Sequence, residues 1–390
     1  MSSLTRRFFN MDEIVLTSTG AAPLWVWGLG LLLPATSLGF LCFYLFAGLN
    51  PIWLLFPLFL FVVAPTGLDL LLGPNRRNPS EEAAALLKTQ KKYDVIAYLH
   101  IPMYFCVFVT AVAIVGLTHP PLWAVLVLAF GAGLINGNAI NIGHELGHRR
   151  DRLNPRMAKI ALSLSGYGHF TMEHNRGHHK NVATPQDCAS SRLGESVYAF
   201  ALRELPGAFI GGWREEKTRL QRKGLPLFHW RNEILQVYGV TIVITALLVG
   251  VFGPAVLGFI MLHHFISWLA LTKVNYIEHY GLKRERRADG RYQLCEPKHS
   301  WNSNHMASNI LSLNLQRHSD HHANPSLPYQ TLRDFDDVPT LPLGYPGSIM
   351  MALVPPLWFS VMDKRVLKWA DGDLEKTNLC PRAAHRYGVG

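Results

Sequence analysis

Charge is scarce in this sequence: only 16% of its 390 residues are Asp, Glu, Lys or Arg, against about a quarter in soluble domains. With 49% hydrophobic residues and a mean hydropathy of +0.13, that shortfall excludes an ordinary soluble globule and points to a chain that lives largely in lipid. Cysteine is sparse too. Cys42, Cys106, Cys188, Cys295 and Cys380 are scattered with no Cys-x-x-Cys pair, so neither a disulfide framework nor an iron–sulfur or rubredoxin-type site is encoded. No flavin or nicotinamide motif, internal sequence repeat or low-complexity segment appears. The N-terminal stretch carries Arg6 and Arg7 but no cleavage-type signal before the first long apolar run. The net charge of +10 fits loops that face anionic lipid, and nothing in the pattern suggests nucleic-acid recognition.

What is present is apolar sequence in long paired runs. A helix needs about 20 apolar residues to cross a bilayer. Runs of that kind lie at about 24–47 and 51–72, 93–117 and 122–142, and 234–251 and 254–273. Connections as short as Gly48-Leu49-Asn50 make each pair a helical hairpin. The expected fold is therefore an all-α integral membrane protein, a single domain over 1–390 with six transmembrane helices in three hairpins. Residues 144–233 and 279–390 form its cap. Within the polar segments, Ser80 is placed to cap a short helix over 81–87, and residues 157–168 can lie along the membrane. Residues 213–223 read as a charged, exposed stretch, 349–362 as an amphipathic or re-entrant piece, and Asp69 as able to reach the interface. The three short turns carry no Lys or Arg, whereas the longer connections and tails carry many, including Arg76, Arg77, Lys91, Lys92, Arg149 and Arg150. The positive-inside rule then puts both termini and the long loops in the cytoplasm.

Histidines organise those cytoplasmic segments. His144-Glu145-Leu146-Gly147-His148 gives an i, i+4 pair, and Glu173-His174-Asn175-Arg176-Gly177-His178-His179 gives i, i+4, i+5. Leu315-Gln316-Arg317-His318-Ser319-Asp320-His321-His322 gives i, i+3, i+4, one helix face if the stretch is helical. His279 adds a ninth imidazole in Asn275-Tyr276-Ile277-Glu278-His279-Tyr280-Gly281. A hydrophobic core would have to satisfy every ring nitrogen by hydrogen bonding, whereas neutral imidazole is the commonest protein metal ligand. Nine imidazoles are too many for one ion and suit two. His144-Glu145-x-x-His148 by itself also matches the zincin pattern, with Glu145 as the base. An intramembrane zinc protease would leave seven histidines idle and lacks an evident third-ligand Asp in a later span, and a metal transporter would need ionisable residues along the spans. His263 and His264 lie about four turns, ~24 Å, before His279 and read as interhelical hydrogen-bonding groups.

All-nitrogen ligation suits iron, copper, zinc or nickel. Two ions at the end of an apolar bundle favour oxygen chemistry on a lipid-soluble substrate, for which iron is the natural metal. The four histidine phrases quoted above resemble the signatures of the bacterial integral-membrane alkane monooxygenases. These belong to a wider superfamily with membrane fatty-acid desaturases and xylene monooxygenases, which remain the rival readings within the class. The resemblance covers nearly the whole chain and implies a non-haem diiron site in the cap, two iron ions held by His144, His148, His174, His178, His179, His279, His318, His321 and His322. It implies hydroxylation of the terminal methyl of medium-chain n-alkanes with O2, in a bacterial inner membrane. It also names reduced rubredoxin, with a rubredoxin reductase upstream, as the electron donor that the chain's own lack of redox motifs requires.

Further residues follow from what such a site needs. Ligand imidazoles want acceptors on their distal nitrogens, and Glu145, Glu173, Asp187, Asn275, Glu278 and Asp320 are in range along the sequence; ordinary salt bridges are the alternative use of the acids. An alkane offers nothing to hydrogen-bond, so an apolar tunnel must select its reactive end. Trp53 either plugs the far end of that tunnel or packs at the interface, as tryptophans there commonly do. Lys283, Arg284, Arg286 and Arg287 follow closely on His279 and either dock an acidic donor or touch lipid headgroups.

Overall fold

A backbone in lipid has no water to bond, and a helix satisfies its N–H and C=O groups within one segment. The computed structural model describes residues 20–388, so Arg6 and Arg7 lie outside the described residues. Numbered in chain order, the helices are α1 Leu24–Ala47, α2 Pro51–Leu72, α3 Glu81–Thr89, α4 Lys92–Thr118, α5 Leu122–Gly147 and α6 Asn154–Ser163. A mixed α/π segment, α7, covers residues 170–181. There follow α8 Val197–Gln221, α9 Glu233–Phe252, α10 Val256–His279, α11 Met306–Leu311, α12 His318–Ala323, α13 Tyr345–Ala352 and α14 Pro355–Trp369. Six of them, α1, α2, α4, α5, α9 and α10, are long and apolar enough to cross a membrane. They are the six runs read from the sequence. No strand forms among the described residues; the few isolated bridges only pin loops together. The chain is a multi-pass helical membrane protein.

Turn chemistry closes the hairpins. Gly48 adopts φ +62° at the end of α1, and the Asn50 side chain accepts from Ile52 N–H at 3.0 Å to start α2. His119 takes the same left-handed conformation, φ +45°, and Pro120 and Pro121 then prevent α4 from continuing. At the other membrane face α5 runs on from the expected 142 to Gly147, and α10 from the expected 273 to His279. Both helices therefore carry histidines on rigid, unbroken extensions.

α5 and α10 lie unusually close to one another. A Cβ on Gly133 would stand 2.8 Å from Ile266 Cβ, and one on Gly137 only 2.6 Å from Ala270 Cβ. Small residues permit this approach, which in lipid gains dispersion contacts and lets polar groups bridge the helices. Ser267 Oγ donates to Gly133 O at 3.0 Å, and Asn136 Nδ2 lies 2.9 Å from His263 Nε2. His263 thus serves the interhelical bonding expected of it. On its other side α5 receives α6, whose Ala158, Ala161 and Leu162 are buried, with Leu162 against Gly143.

Ser80 caps α3 as expected, its Oγ accepting from Ala83 N–H at 3.2 Å. The segment 349–362 falls in the α13–α14 pair, bent by 118°. One expectation is corrected. Residues 213–223 are not an exposed strip: Glu216, Arg219 and Leu220 of α8 are buried, because Arg219 pairs with Glu216 at 2.5 Å and donates to Arg231 O at 2.7 Å. Asp69 is buried against protein, accepting from Ser308 N–H at 2.9 Å and from the Ser308 hydroxyl, and so ties α2 to α11.

Candidate metal centre

All nine histidines of the sequence motifs come together, and they sort into two sets. One is His144, His148, His174, His179 and His321; the other is His178, His279, His318 and His322, and within each set the ligating atoms lie within 4.8 Å of one another. Local helix geometry does the sorting. The i, i+4 pair of α5 puts His144 and His148 on one face, in the same set. In α7, residues His174–His178 form a π-turn, in which i and i+5 are stacked instead of i and i+4. His179 therefore falls beneath His174, their Nε2 atoms 3.0 Å apart, while His178 is turned to the other set. α12 runs between the two: His318 and His322, one turn apart, face one set, and His321 faces the other.

The imidazoles approach one another through the nitrogens a metal would take. His144 Nε2 lies 2.9 Å from His321 Nε2, which is 3.2 Å from His179 Nε2. In the second set His318 Nε2 is 3.3 Å from His279 Nε2, and His178 Nε2 is 3.3 Å from His322 Nε2. Ligands about 2.1 Å from a shared ion stand ~3.0 Å apart at right angles and ~3.4 Å apart at tetrahedral angles, so both sets are spaced to hold a cation. His148 Nε2 is buried with no hydrogen-bond partner, as a nitrogen reserved for a metal would be. Burial first, then the neighbouring imidazoles, hold His148, His174, His179, His318, His321 and His322 well below the usual histidine pKa. They stay neutral, with lone pairs available.

Two carboxylates touch the nine rings among the described residues. Asp187 Oδ2 lies 2.9 Å from His178 Nδ1 and also accepts from Ser190 Oγ at 2.6 Å. Burial is the largest influence and opposes the His178 cation, but the Asp187 charge and hydrogen bond, together with the Glu173 and Glu278 charges, raise the His178 pKa. Asp187 therefore occupies the position expected behind a ligand ring. Glu278 differs. Its Oε2 is 3.2 Å from His318 Nε2, the nitrogen facing the other histidines, while its Oε1 accepts from Tyr345 O–H at 2.7 Å. It stands in front of the ring, not behind it.

The remaining sequence candidates have other partners. Glu145 accepts from Arg149 at 2.5 Å and from Tyr329 N–H at 3.2 Å, joining α5 to the 329 segment. Glu173 accepts a 3.6 Å contact from Cys188 Sγ; burial, then the Asp187 charge, push its carboxyl up to about 8. Asp320 accepts from Asn324 at 2.9 Å and from Arg333 N–H at 2.9 Å, fixing the end of α12. Asn275 donates to Glu204 Oε1 at 3.2 Å. Glu204 itself was not singled out by the sequence: it sits among ordinary charges of α8, and only the crossing of α8 over α10 buries it, pushing its carboxyl up to about 7.

Arg284 is a further correction. It is only 5% exposed, because its guanidinium donates to Lys180 O at 2.7 Å and Gln293 O at 3.1 Å, which removes it from any docking surface. Those bonds hold the 283–287 loop against the backbone just beyond His179. Lys283 is half-buried, with Nζ donating to Glu375 O at 2.5 Å, and Arg286 and Arg287 are exposed. Beneath the histidines an apolar cavity of about 530 Å³ lies between α2, α5, α10 and α13. Leu55, Leu58, Phe59 and Val62 line it from α2, and Asn141 and Leu315, each three residues before a histidine of the sets, line it too. Trp53 is 53% exposed and stands outside this lining, just beyond Leu55.

Comparison with known proteins agrees with this geometry. The family model for fatty acid desaturase matches residues 121–346, from the start of α5 to the start of α13. The chain is 48% identical to alkane 1-monooxygenase of Ectopseudomonas oleovorans over 313 residues, 80% of this chain and 78% of that one. It is 44% identical to alkane 1-monooxygenase 1 of Alcanivorax borkumensis over 362 residues, 93% and 89% of the two chains. With the hydroxylase component of xylene/toluene monooxygenase of Pseudomonas putida it shares 27% identity over 286 residues, 70% of this chain and 74% of that one.

Proposed function

Because the chain belongs to the alkane 1-monooxygenase family, we propose that its nine converging histidines hold two iron ions, and that it hydroxylates the terminal methyl of medium-chain n-alkanes with O2 and electrons from reduced rubredoxin. The observation that carries this reading is the division of nine converging imidazoles into sets of five and four, beside an apolar cavity lined by Asn141 and Leu315. His144, His148, His174, His179 and His321 hold one ion. His178, His279, His318 and His322 hold the other, with Glu278 offering an oxygen beside them. Bound there, the diiron centre supplies the reductive splitting of O2, which leaves one oxygen atom on the terminal carbon and the other as water.

The protein's own residues do the rest. Asp187, fixed by Ser190, orients His178 and sets which of its nitrogens carries the proton. Leu58, Phe59 and Val62 take up the alkane's chain by shape alone, since it offers no polar handle. Leu315 and Asn141 bring the cavity to within three residues of His318 and His144, so the end of the chain is presented to the site while apolar walls exclude water. Trp53, two residues before Leu55 at the start of α2, limits how far a longer chain can extend. Electrons enter from a separate acidic donor on the surface carrying Lys283, Arg286 and Arg287, close to the backbone of His179. The basic loops accompany the histidine side of the bundle, which supports a cytoplasmic site in a bacterial inner membrane.

Anaerobic reconstitution with ferrous iron tests the proposal. The expected result is two irons per chain and, with reduced rubredoxin and a medium-chain alkane, a terminal alcohol whose oxygen comes from labelled O2. One tightly held zinc per chain with no alcohol formed would overturn it in favour of a hydrolytic zinc site.

A further inference from the structure

The cavity beneath the histidines is apolar almost throughout, yet Lys273 of α10 lines it. Its ammonium makes no hydrogen bond or ion pair among the described residues. Neighbouring polar groups are already committed: Asn141 Nδ2 donates to Ser312 O at 2.8 Å, and Glu204 takes Thr272 Oγ1 at 2.8 Å and Asn275 Nδ2 at 3.2 Å. Lys273 lies six residues before His279, ~9 Å along the helix, on the membrane side of the site. An ionisable group inside a span is costly unless it is paired, and its expected counter-charge is a functional question in its own right. Here the described residues supply none.

We propose that the cavity binds a fatty acid, with its carboxylate on Lys273 Nζ and its chain along Leu58, Phe59 and Val62. A volume of about 530 Å³ suits one chain-like ligand. A single ammonium, with no arginine in the lining, suits a monoanion with a small head; phosphate headgroups are typically gripped by bidentate guanidinium groups. A fatty acid held there fills the space an alkane needs and so competes with it. The inference rests on the proposed alkane route for that competition, not for the binding itself.

Radiolabelled dodecanoate binding to the full chain in phosphatidylcholine nanodiscs provides the test, with wild type compared with Lys273→Met and Lys273→Arg. One saturable site per chain is expected, weakened about 10-fold or more by Lys273→Met and largely kept by Lys273→Arg, the size a hydrogen bond to a charged group supports. Binding of labelled dodecanol, which shares the chain but not the charge, should be equal in all three proteins. Equal dodecanoate affinity in wild type and Lys273→Met would overturn the assignment. So would a parallel loss for dodecanol, because charge would then not be what the site reads. Nanodiscs containing phosphatidylglycerol that abolish dodecanoate binding would replace the fatty acid with membrane lipid as the ligand. If excess dodecane fails to displace dodecanoate while the Lys273 dependence holds, the anion site stands and the alkane route falls.

Discussion

Replacing Asp187 with Asn changes one charge and almost no shape, yet it should empty one metal position and spare the other. Asp187 is 3% exposed and both its oxygens are engaged: Oδ2 takes His178 Nδ1 at 2.9 Å and Ser190 Oγ at 2.6 Å, while Oδ1 takes Ala189 N–H at 3.1 Å. An amide in this position must turn its NH2 toward either the His178 or the Ala189 donor. Either choice leaves a buried donor unmet, a cost of about 1–3 kcal/mol. Loss of a carboxylate behind a ligand imidazole typically weakens metal binding by about 10–100-fold, the same range expressed as affinity. His178 belongs to the four-histidine set alone, so the weakening should stay there. The assay is iron per chain after anaerobic equilibration against graded chelator. Wild type should pass from two irons to none at high chelator, and Asp187→Asn should show a plateau near one at a concentration where wild type keeps both. Glu145→Gln is the control, since Glu145 bonds Arg149 and Tyr329 N–H rather than an imidazole, and it should follow wild type. Both irons leaving together in Asp187→Asn, or no shift at all, would refute the reasoning.

Single His→Ala changes in either set should abolish hydroxylation while the protein still inserts, and double changes should cost little more because the ligands act as a unit; alcohol yield from His318→Ala and His264→Ala membranes, the latter retaining activity, checks this. Gly137→Val should separate α5 from α10, since its Cβ alone would stand 2.6 Å from Ala270 Cβ; overpacking of about 1–3 kcal/mol should appear as a lower Tm together with reduced iron retention. Arg286→Glu with Arg287→Glu should slow rubredoxin-supported turnover and flatten its dependence on salt, while turnover driven by a small chemical reductant survives; equal loss with both donors would remove the docking role. Arg284 is left out of that pair because its buried guanidinium holds the loop by backbone carbonyls. Trp53→Ser should admit longer alkanes, read as a shift in the product profile across a chain-length series, and an unchanged profile would count against the limit placed there.

The sequence alone determined the features governed by local rules. Apolar run length against bilayer thickness is a local quantity, so six spans in three hairpins could be read directly. The identity of the nine histidines was equally legible, because no packing requirement accounts for so many imidazoles at helical spacing. What depended on contacts distant in sequence was not legible. The division into five and four rests on a π-turn over His174–His178, which shifts the stacking partner of His174 from i+4 to i+5, and on α12 lying between the sets; the spacing of the letters is the same either way. Tertiary structure alone decided which of six acidic or amide candidates meets an imidazole. Asp187 and Glu278 do, whereas Glu145, Glu173, Asn275 and Asp320 are drawn to other partners by the helices that cross them. Burial of Arg284 and isolation of Lys273 belong to the same class. A charge reads alike in every sequence, and only the packed structure fixes whether water, a carbonyl or an empty apolar wall stands opposite it.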